Sequence, residues 1–453
     1  MEFELNGNLQ GKKRRIAVIG SGISGLSAAW LLSKSASVKI YEADSRLGGH
    51  ANTVTVPLDK DNAIPVDTGF IVYNERNYPN LVALFSHLGV ATEASEMSFS
   101  ASLAGGKFEY SGSGVKGLLG QKSNALKPRF WRMVSDIMRF YKQAPILLDD
   151  PKFSTTSLGD YLDQNHYSKT FIDDHLLPMG AAIWSTTATD MRAYPLQAFI
   201  RFFVSHGLIL LSGRPQWRTV SGGSREYVKR LMAEYTGTVE LNCHVAAVRR
   251  TPEGVKVVDR TGNIDIFDDV VIATHADHAL AMLADPDDDE RSLLGSFQYT
   301  RNAAVLHSDP ALMPRRKSVW ASWNYIGEAE DNRTQQLCVT YWMNRLQNID
   351  PSSSLFVTLN PSRAIDPAKI IRAFDYTHPL FDNAALAAQR KLWSLQGQRN
   401  TWFCGAHFGS GFHEDGLQSG LAVAEALGGI KRPWSVANES GRIFTEQQKM
   451  AAE

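Results

Sequence analysis

The first regular pattern in the chain is a short apolar run followed by a glycine-rich stretch. Residues 16–19 (IAVI) read as a strand buried on both faces, as in a parallel sheet. The next stretch, SGLSAAWLLSKS, carries Leu26 and Trp30 at helical spacing, and SVKIYEADS reads as a second strand that leads into Glu42. The N-terminal segment therefore predicts a strand, a glycine loop, a helix and a second strand that ends in an acid.

Later segments predict further helices and strands. Apolar residues at three-to-four spacing in YPNLVALFSHLGV and KPRFWRMVSDIMRFYKQAPILL predict helices, and TTSLGDYLDQN reads as a capped helix start. The stretches KSVWASWNYIG, QQLCVTYWMN and SLFVTLNP alternate and predict antiparallel strands. The apolar stretch FFVSHGLILL, 202–211, is too short to span a membrane. We interpret it as a buried helix or pocket wall, with a membrane-dipping face as the alternative.

Composition narrows the class of protein. The chain has 453 residues, of which 43% are hydrophobic and 21% charged, and this is typical of a globular protein with a large core. Its formal net charge is zero, so no nucleic-acid partner is indicated. The three cysteines show no metal-type spacing and offer no disulfide framework. We predict no metal site and a cytoplasmic location.

The spacing Gly20-x-Gly22-x-x-Gly25 gives each glycine a physical role. Gly20 permits a tight turn, Gly22 lets the backbone approach a pyrophosphate, and Gly25 lets the helix pack closely on the strand. Glu42 lies near the interval of about 20 residues at which an acid binds the ribose hydroxyls of a dinucleotide. A carboxylate there would repel a 2′-phosphate. The unit therefore predicts a dinucleotide site and disfavours NADP.

The segment after this acid, EADSRLGGHANT, separates FAD from NAD. Its Arg46, Gly48 and Gly49 resemble the extended signature of the FAD-linked amine oxidase, protoporphyrinogen oxidase and phytoene desaturase superfamily. The stretch 239–276 is similar to the second FAD-contacting section of that superfamily, in which Val245 would bracket the adenine. The resemblance implies non-covalently bound FAD as the cofactor.

The stretch TWFCGAHFGSGFHEDGLQSGLAVAEAL, 401–427, resembles the C-terminal FAD section of the same superfamily. The cofactor-binding residues that the resemblance implies in addition are Ser24, Gly69, Gly405, Gly416 and Leu417. One position departs from the pattern, because the superfamily usually has an acid directly after the strand-end glycine. This chain has Ala406 there, and its acids come later, so the usual contact is either lost or moved.

These sections predict an α/β fold, with a Rossmann-like FAD-binding domain of the glutathione reductase type and an inserted α+β substrate domain. We predict the discontinuous FAD-binding domain at about 13–76, 215–285 and 396–430. The substrate domain is predicted at 77–214 and 286–395, and 431–453 is predicted to be a peripheral tail.

The segments VDTGFIVYNERNYPNL, YWMNRLQ and GFHEDGLQSG resemble one branch of the superfamily. Its members are associated with cyclopropane fatty acyl synthases and are similar to a flavin-dependent fatty acid double-bond isomerase. The branch implies an unsaturated fatty acyl substrate that is desaturated or isomerised through hydride transfer to flavin N5. It also implies a lipid methyltransferase partner. The membrane-dipping alternative for 202–211 would bring peripheral contact with the inner membrane face. The alternatives are an amine oxidase, a carotenoid-type desaturase, or a non-catalytic flavoprotein partner of the methyltransferase.

An acyl substrate needs an apolar tunnel and few polar groups. The candidate catalytic residues are His413, Tyr341 and Asn344, and His413 lies in the loop that would face the flavin. Tyr73, Asn74 and Glu414 are further polar candidates near the flavin. The candidate tunnel residues are Trp184, Phe199, Phe202, Phe203, Leu208, Leu210, Tyr341 and Trp342.

Overall fold

The computed structural model describes residues 13–58, 62–210, 212–328 and 337–445. The strands in chain order are β1 Arg15–Ile19, β2 Ser37–Tyr41, β3 Thr53–Pro57, β4 Ala63–Asp67, β5 Tyr73–Asn74, β6 Thr92–Ser95, β7 Phe99–Leu103, β8 Phe108–Ser111, β9 Trp217–Val220, β10 Thr238–Glu240, β11 Val245–Thr251, β12 Gly254–Asp259, β13 Ile264–Phe267, β14 Asp269–Ile272, β15 Gln298–His307, β16 Trp323–Ile326, β17 Val339–Trp342, β18 Phe356–Leu359, β19 Ile370–Leu380 and β20 Thr401–Phe403.

Helices connect these strands and cover the sheets. They are α1 Ile23–Leu32, α2 Pro79–His87, α3 Gly114–Leu118, α4 Pro128–Gln143, α5 Leu158–Gln164, α6 Lys169–Phe171, α7 Leu177–Trp184, α8 Ala188–Ala193, α9 Leu196–Ser205, α10 Arg225–Ala233, α11 Ala276–Met282, α12 Asp288–Leu294, α13 Met343–Leu346, α14 Asn383–Gln389 and α15 His413–Gly428. Among the described residues, no helix is long and apolar enough to cross a bilayer.

A five-stranded parallel sheet in the order β10-β2-β1-β14-β20 forms the Rossmann-like layer. In its centre Val18 lies between Ile40 of β2 and Val271 of β14, and all three side chains are buried. Burial on both faces explains why the strands read as apolar runs rather than as an alternating pattern. Its strands come from all three segments of the predicted FAD-binding domain. The α/β fold class with a Rossmann-like layer is therefore confirmed.

Helix α1 packs between this sheet and α15, and all ten of its residues are buried. The two helices approach closely because small residues meet at their contact. A Cβ on Gly420 would lie 2.2 Å from the Ser24 carbonyl oxygen, and one on Gly416 would lie 2.8 Å from Ile23 Cγ2. The glycines in GLQSGL therefore allow helix packing directly behind the loop that follows β1.

The seven-stranded sheet has the order β19-β15-β18-β17-β16-β7-β8. The three predicted antiparallel strands correspond to β16, β17 and β18, and β17 pairs in antiparallel fashion with both others. Helices from the segment 77–214 lie beside this sheet, and α5 begins where predicted, with Ser157 accepting the Asp160 N–H as its N-cap. The sheet draws its strands from both predicted substrate segments, and the domain boundaries stay a prediction.

The C-terminal tail is not peripheral where it is described. Arg432 is buried, and its Nε donates to Glu425 Oε1 at 2.8 Å. Arg442 forms a 2.7 Å ion pair with Asp415, and Ile443 is buried in the core. Over 431–445 the prediction of a peripheral tail was wrong, because a polar composition gave no sign of the buried carboxylates that these arginines neutralise; residues 446–453 of the predicted tail lie outside the described residues.

Candidate active site

One cavity of about 910 Å³ runs from the glycine loop to the seven-stranded sheet. The carboxyl ends of parallel strands lie at one edge of the sheet. The loops that follow β1, β14 and β20 lie at this edge and line the near end of the cavity. Helices α7 and α9 and strands β16, β17 and β19 supply the far walls. The cavity therefore joins the two parts of the fold that the sequence predicts for cofactor and substrate.

The glycine loop has the geometry that a pyrophosphate needs. Gly20 has φ of +99°, and a Cβ on it would lie 2.9 Å from the Ala273 carbonyl oxygen. A Cβ on Gly25 would lie 2.0 Å from the Gly20 carbonyl oxygen, so Gly25 allows helix–strand contact. A Cβ on Gly22 would meet no atom within 4 Å, and Gly22 lines the cavity at the N-terminus of α1. The loop thus leaves a cradle that only a bound group would fill.

Glu42 lies beside this cradle and holds the loop in place. Its Oε2 accepts the Ser21 backbone N–H at 2.9 Å and a short hydrogen bond from the Ser21 hydroxyl. Its Oε1 accepts the Asp44 backbone N–H at 2.8 Å. The carboxylate is partly exposed to the cavity, where it is placed to accept ribose hydroxyls.

We expect Glu42→Ala to weaken FAD binding by about 1.5–3 kcal/mol, because a charge-assisted hydrogen bond to the ribose is lost. The measurement is the FAD dissociation constant by titration of the deflavinated protein. Asp44→Ala is the matched control, because Asp44 is an exposed acid that contacts Arg46 rather than lining the cavity. An unchanged dissociation constant for Glu42→Ala would show that this acid serves only the loop.

The structure brings most predicted cofactor residues to the cavity and places the others behind it. The predicted residues that line it are Gly20, Gly22, Ser24, Glu42, Gly49, Gly69, Val245 and Gly405. Arg46 instead donates to the Gly49 carbonyl oxygen at 2.8 Å and orders the glycine pair. Gly48 donates its N–H to the Ser21 carbonyl oxygen at 3.0 Å, which fastens that pair to the first loop.

Gly416 and Leu417 do not reach the cavity. Gly416 packs against Ile23, as described above, and Leu417 is fully buried in the core. The acids that follow Ala406 in sequence are also used elsewhere. Glu414 accepts the backbone N–H of Leu81 at 3.0 Å, and Asp415 pairs with the C-terminal arginine. Neither acid replaces the missing one, because the first turn of α15 points them into the protein.

The three candidate catalytic residues have different positions. His413 lies at the start of α15, where it stacks on Phe70 at 3.8 Å and contacts the Tyr227 hydroxyl through Nε2 at 3.0 Å. Burial lowers the pKa of His413 to about 3, so its imidazole is neutral at ordinary pH. Tyr341 lines the cavity edge-on to Trp323, and burial raises the pKa of its phenol.

Asn344 was a wrong prediction for a cavity residue. Its Oδ1 accepts the Leu355 backbone N–H at 2.9 Å, and its Nδ2 donates to the Ser353 carbonyl oxygen at 2.7 Å. The side chain closes the turn between β17 and β18 and does not line the cavity. Of the other polar candidates, Tyr73 and Asn74 are buried in β5 and likewise lie outside the lining.

The predicted tunnel residues divide in the same way. Trp184, Phe202, Leu208 and Tyr341 line the cavity, whereas Leu210 and Trp342 do not. Phe199 and Phe203 are fully buried core residues that stack on each other, also outside the lining. The stretch that begins at 202 is thus a pocket wall over the residues described, in accordance with the first of its two interpretations.

Sequence reasoning missed a group of imidazoles in the middle of the cavity. His50 stacks on Tyr376 at 4.9 Å, and its ring centre lies 5.5 Å from that of His378. His275 Nδ1 lies 3.1 Å from the Thr377 hydroxyl. Burial lowers the pKa of His50 to about 3 and those of His275 and His378 to about 4, so all three are neutral. The signals were the histidine directly after Gly49 and the alternation in β19, which puts residues 376 and 378 on one face.

The ligand atoms of His275, Asp277 and His278 lie within 4.8 Å of one another, a cluster that their spacing did not single out. Asp277 and His278 are exposed, and the ring of His275 stacks on Tyr299 at 4.4 Å. We assign no metal to this cluster, because nothing else in the described structure points to a bound ion.

The cavity, its cradle and the Rossmann-like sheet define a dinucleotide-binding protein. The profile of the family described as flavin containing amine oxidoreductase matches residues 23–345, and the chain belongs to this family. It is an FAD-dependent oxidoreductase, and FAD is its cofactor. No curated protein sequence matches the chain.

Solved structures of low sequence identity share the fold. The CLA-producing fatty acid isomerase from P. acnes has 15% identity and a TM-score of 0.63, and the match covers 92% of this chain and 98% of that one. Wild-type putrescine oxidase bound to putrescine has 15% identity and a TM-score of 0.63, with 92% and 99% covered. Cyclohexylamine oxidase from Brevibacterium oxydans IH-35A has 16% identity and a TM-score of 0.62, with 92% and 99% covered.

Proposed function

We propose that this protein acts on an unsaturated fatty acyl chain, by desaturation or by double-bond isomerisation. When bound, FAD supplies the capacity to accept a hydride from a substrate C–H bond. The residues of the chain then have to exclude water, hold the acyl chain and bind its polar end. The observation that carries the proposal is the chemistry of the cavity walls beyond the imidazole group.

These walls are apolar and carry no fixed charge. The residues on this side include Met97, Ile183, Trp184, Phe202, Leu208, Trp323, Tyr341 and Leu359. Among the described lining residues, the only carboxylate is Glu42 and the only Lys or Arg is Arg260, and both belong to the Rossmann-like part. A protonated amine would find no carboxylate to offset its desolvation there. An acyl chain needs none, because burial of its CH₂ groups is itself favourable.

The neutral imidazoles support the same proposal. His413 is fixed by Phe70 and Tyr227, and it offers hydrogen bonding without adding charge. Double-bond isomerisation by removal and return of a hydride needs little acid–base machinery, whereas desaturation would in addition release a neighbouring proton and pass two electrons to an acceptor outside the chain. A site with neutral imidazoles and no carboxylate near the acyl walls suits the isomerisation.

A buried polar atom supports an oxygen on the ligand. Trp184 is buried and lines the cavity, and its indole Nε1–H has no partner among the described residues. A buried donor without a partner is unfavourable, and an uncharged ester or protonated carboxyl oxygen of the substrate would satisfy it, whereas an ionised carboxylate would meet the same desolvation penalty as an ammonium group. We place the polar end of the acyl chain at the walls that carry the indoles of Trp184 and Trp323, whose Nε1–H groups both lack a partner among the described residues.

The test is a ladder of ligands that differ in chain length. Saturated fatty acids from lauric to stearic acid should perturb the flavin spectrum with rising affinity, by up to about 0.8 kcal/mol, or roughly fourfold, per CH₂. Leu208→Trp should flatten this gain for the long acids, because the larger ring would fill part of the wall. Alkylamines and polyamines of matched length are the control series.

Turnover separates the alternatives. Anaerobic reduction of the flavin by an amine, without any response to fatty acids, would replace the proposal with an amine oxidase. Acyl binding without consumption of linoleic or oleic acid would favour a non-catalytic partner of a lipid methyltransferase. Such a partner, like a cytoplasmic location, stays a prediction from the sequence resemblance.

A further inference from the structure

The segment from Lys122 to Ile146 has an apolar surface that the protein does not cover. Leu126 is 87% exposed, Ile146 76%, Trp131 52% and Met138 47%. Single exposed apolar side chains are ordinary on a protein surface. Four large ones along one helix and its two ends are unusual, because contact between apolar side chains and water is unfavourable. Exposed apolar patches of this kind mark sites of interaction.

Two of these side chains, Trp131 and Met138, share one face of α4. Trp131 and Met138 are seven residues apart, nearly two helical turns, and so they lie on the same face. The opposite face is packed into the core through Phe130, Met133, Ile137 and Phe140. Trp131 Nε1 donates to the Ala125 carbonyl oxygen at 2.8 Å, which holds the turn that carries Leu126 beside the indole. The apolar face is therefore a built surface and not a frayed end.

The segment that carries this surface is rich in basic residues. Residues 122–146 include Lys122, Lys127, Arg129, Arg132, Arg139 and Lys142, and the only acid among them is Asp136. Arg129 is bound to Asp174 and Arg139 to Asp136. Lys122, Arg132 and Lys142 are exposed and have no ion-pair partner among the residues that the structure describes. Their charge is available to a ligand outside the chain.

We propose that this surface docks the protein on an anionic phospholipid bilayer. Trp and Leu side chains enter the boundary between headgroups and acyl chains, and unpaired Lys and Arg bind the anionic headgroups around them. A nucleic acid would use the cations but not the apolar tips. A protein partner would use the tips but needs no excess of one charge.

The surface is connected to the cavity through the helices behind it. Gln197 of α9 donates to the Leu147 carbonyl oxygen at 3.0 Å, directly after Ile146. The same helix supplies Phe202 to the cavity wall. Docking would thus bring the helical wall of the cavity towards a source of acyl chains. Only this last step rests on the proposed function, and the membrane contact stands on the surface alone.

The experiment is co-sedimentation of the FAD-loaded protein with vesicles. We expect binding to vesicles of phosphatidylcholine with phosphatidylglycerol, little binding to phosphatidylcholine alone, and weakening by added salt. The variant Leu126→Glu/Trp131→Glu should lose binding at least tenfold, and Arg132→Glu/Lys142→Glu should lose it similarly. Flavin content and thermal unfolding verify that each variant is folded.

The matched control is Ile264→Glu/Ile266→Glu, which alters two exposed isoleucines on β13, in the other part of the fold. Failure of the wild-type protein to sediment with anionic vesicles, or an equal loss in the control variant, would overturn the proposal. Equal binding to neutral vesicles would contradict the role of the cations. The assay contains no added substrate, and the fatty acid ladder contains no vesicles. Each proposal can therefore fail without the other.

Discussion

Gly22→Val is expected to yield a folded protein that contains no FAD. Gly22 has φ of −65° and ψ of 178°, which a valine adopts without strain. A Cβ there would meet no protein atom within 4 Å, so the fold itself has room for the new side chain. The added methyl groups would stand in the cradle at the N-terminus of α1, where the pyrophosphate must approach. We expect FAD affinity to fall by about 3 kcal/mol or more, roughly a hundredfold.

Flavin absorbance per protein and thermal unfolding, measured together, check this result. Gly25→Ala is the contrasting variant, since its Cβ would lie 2.0 Å from the Gly20 carbonyl oxygen. It should lower the melting temperature of the deflavinated protein, whereas Gly22→Val should leave that temperature unchanged. Full flavin content in Gly22→Val would contradict the placement of the pyrophosphate at this loop.

Arg442→Met is expected to destabilise the protein by about 3–5 kcal/mol, because it leaves a buried carboxylate without its cation. The Arg442 guanidinium lies 2.7 Å from Asp415 and also donates to the Asn77 carbonyl oxygen at 2.9 Å. Asp415 is fully buried, and a second buried acid, Glu414, precedes it. The measurement is the free energy of unfolding by denaturant at pH 7.

The pH dependence of this loss has a defined sign. Burial raises the pKa of Asp415, and Arg442 opposes that rise. Without the arginine, the pKa of Asp415 in the folded protein rises further above its value in the unfolded chain. Between these two pKa values the variant takes up a proton when it folds, so acidification stabilises its folded state. Its deficit should therefore be largest near pH 7 and should shrink as the solution is acidified.

The double variant Arg442→Met/Asp415→Asn is the matched control, since an asparagine can still accept the Phe412 N–H that Asp415 accepts at 2.7 Å. It should recover much of the lost stability, because no unpaired charge remains buried. A single variant as stable as the wild type would show that the carboxylate is already protonated in the native protein.

Short-range patterns determined the nucleotide-binding part of the fold. Few other structures are possible for an apolar strand that is followed by three spaced glycines and a small-residue helix. The reason is that backbone sterics and strand burial act over neighbouring residues. The same holds for α4 and α5 and for the strands β16 to β18, whose periodicity set their type. The resemblance of EADSRLGGHANT then separated FAD from NAD.

The cavity chemistry depended on residues far apart in the chain. The sequence around His50 does not indicate that Tyr376 and His378 lie next to it. Strand β19 of the seven-stranded sheet brings these two residues to His50. The side chain of Asn344 is hydrogen-bonded to the backbone of a turn that later residues form. Gly416 has to be a glycine because α1, near the other end of the chain, packs directly against it.

The sequence by itself thus determined the Rossmann-like unit, its cofactor and the apolar character of the walls. Tertiary structure decided which polar side chains face the cavity and that the C-terminal arginines belong to the core. The physical reason is that helix and strand periodicity are local, whereas burial, ion pairing and pKa shifts depend on what packs against a side chain from elsewhere in the chain.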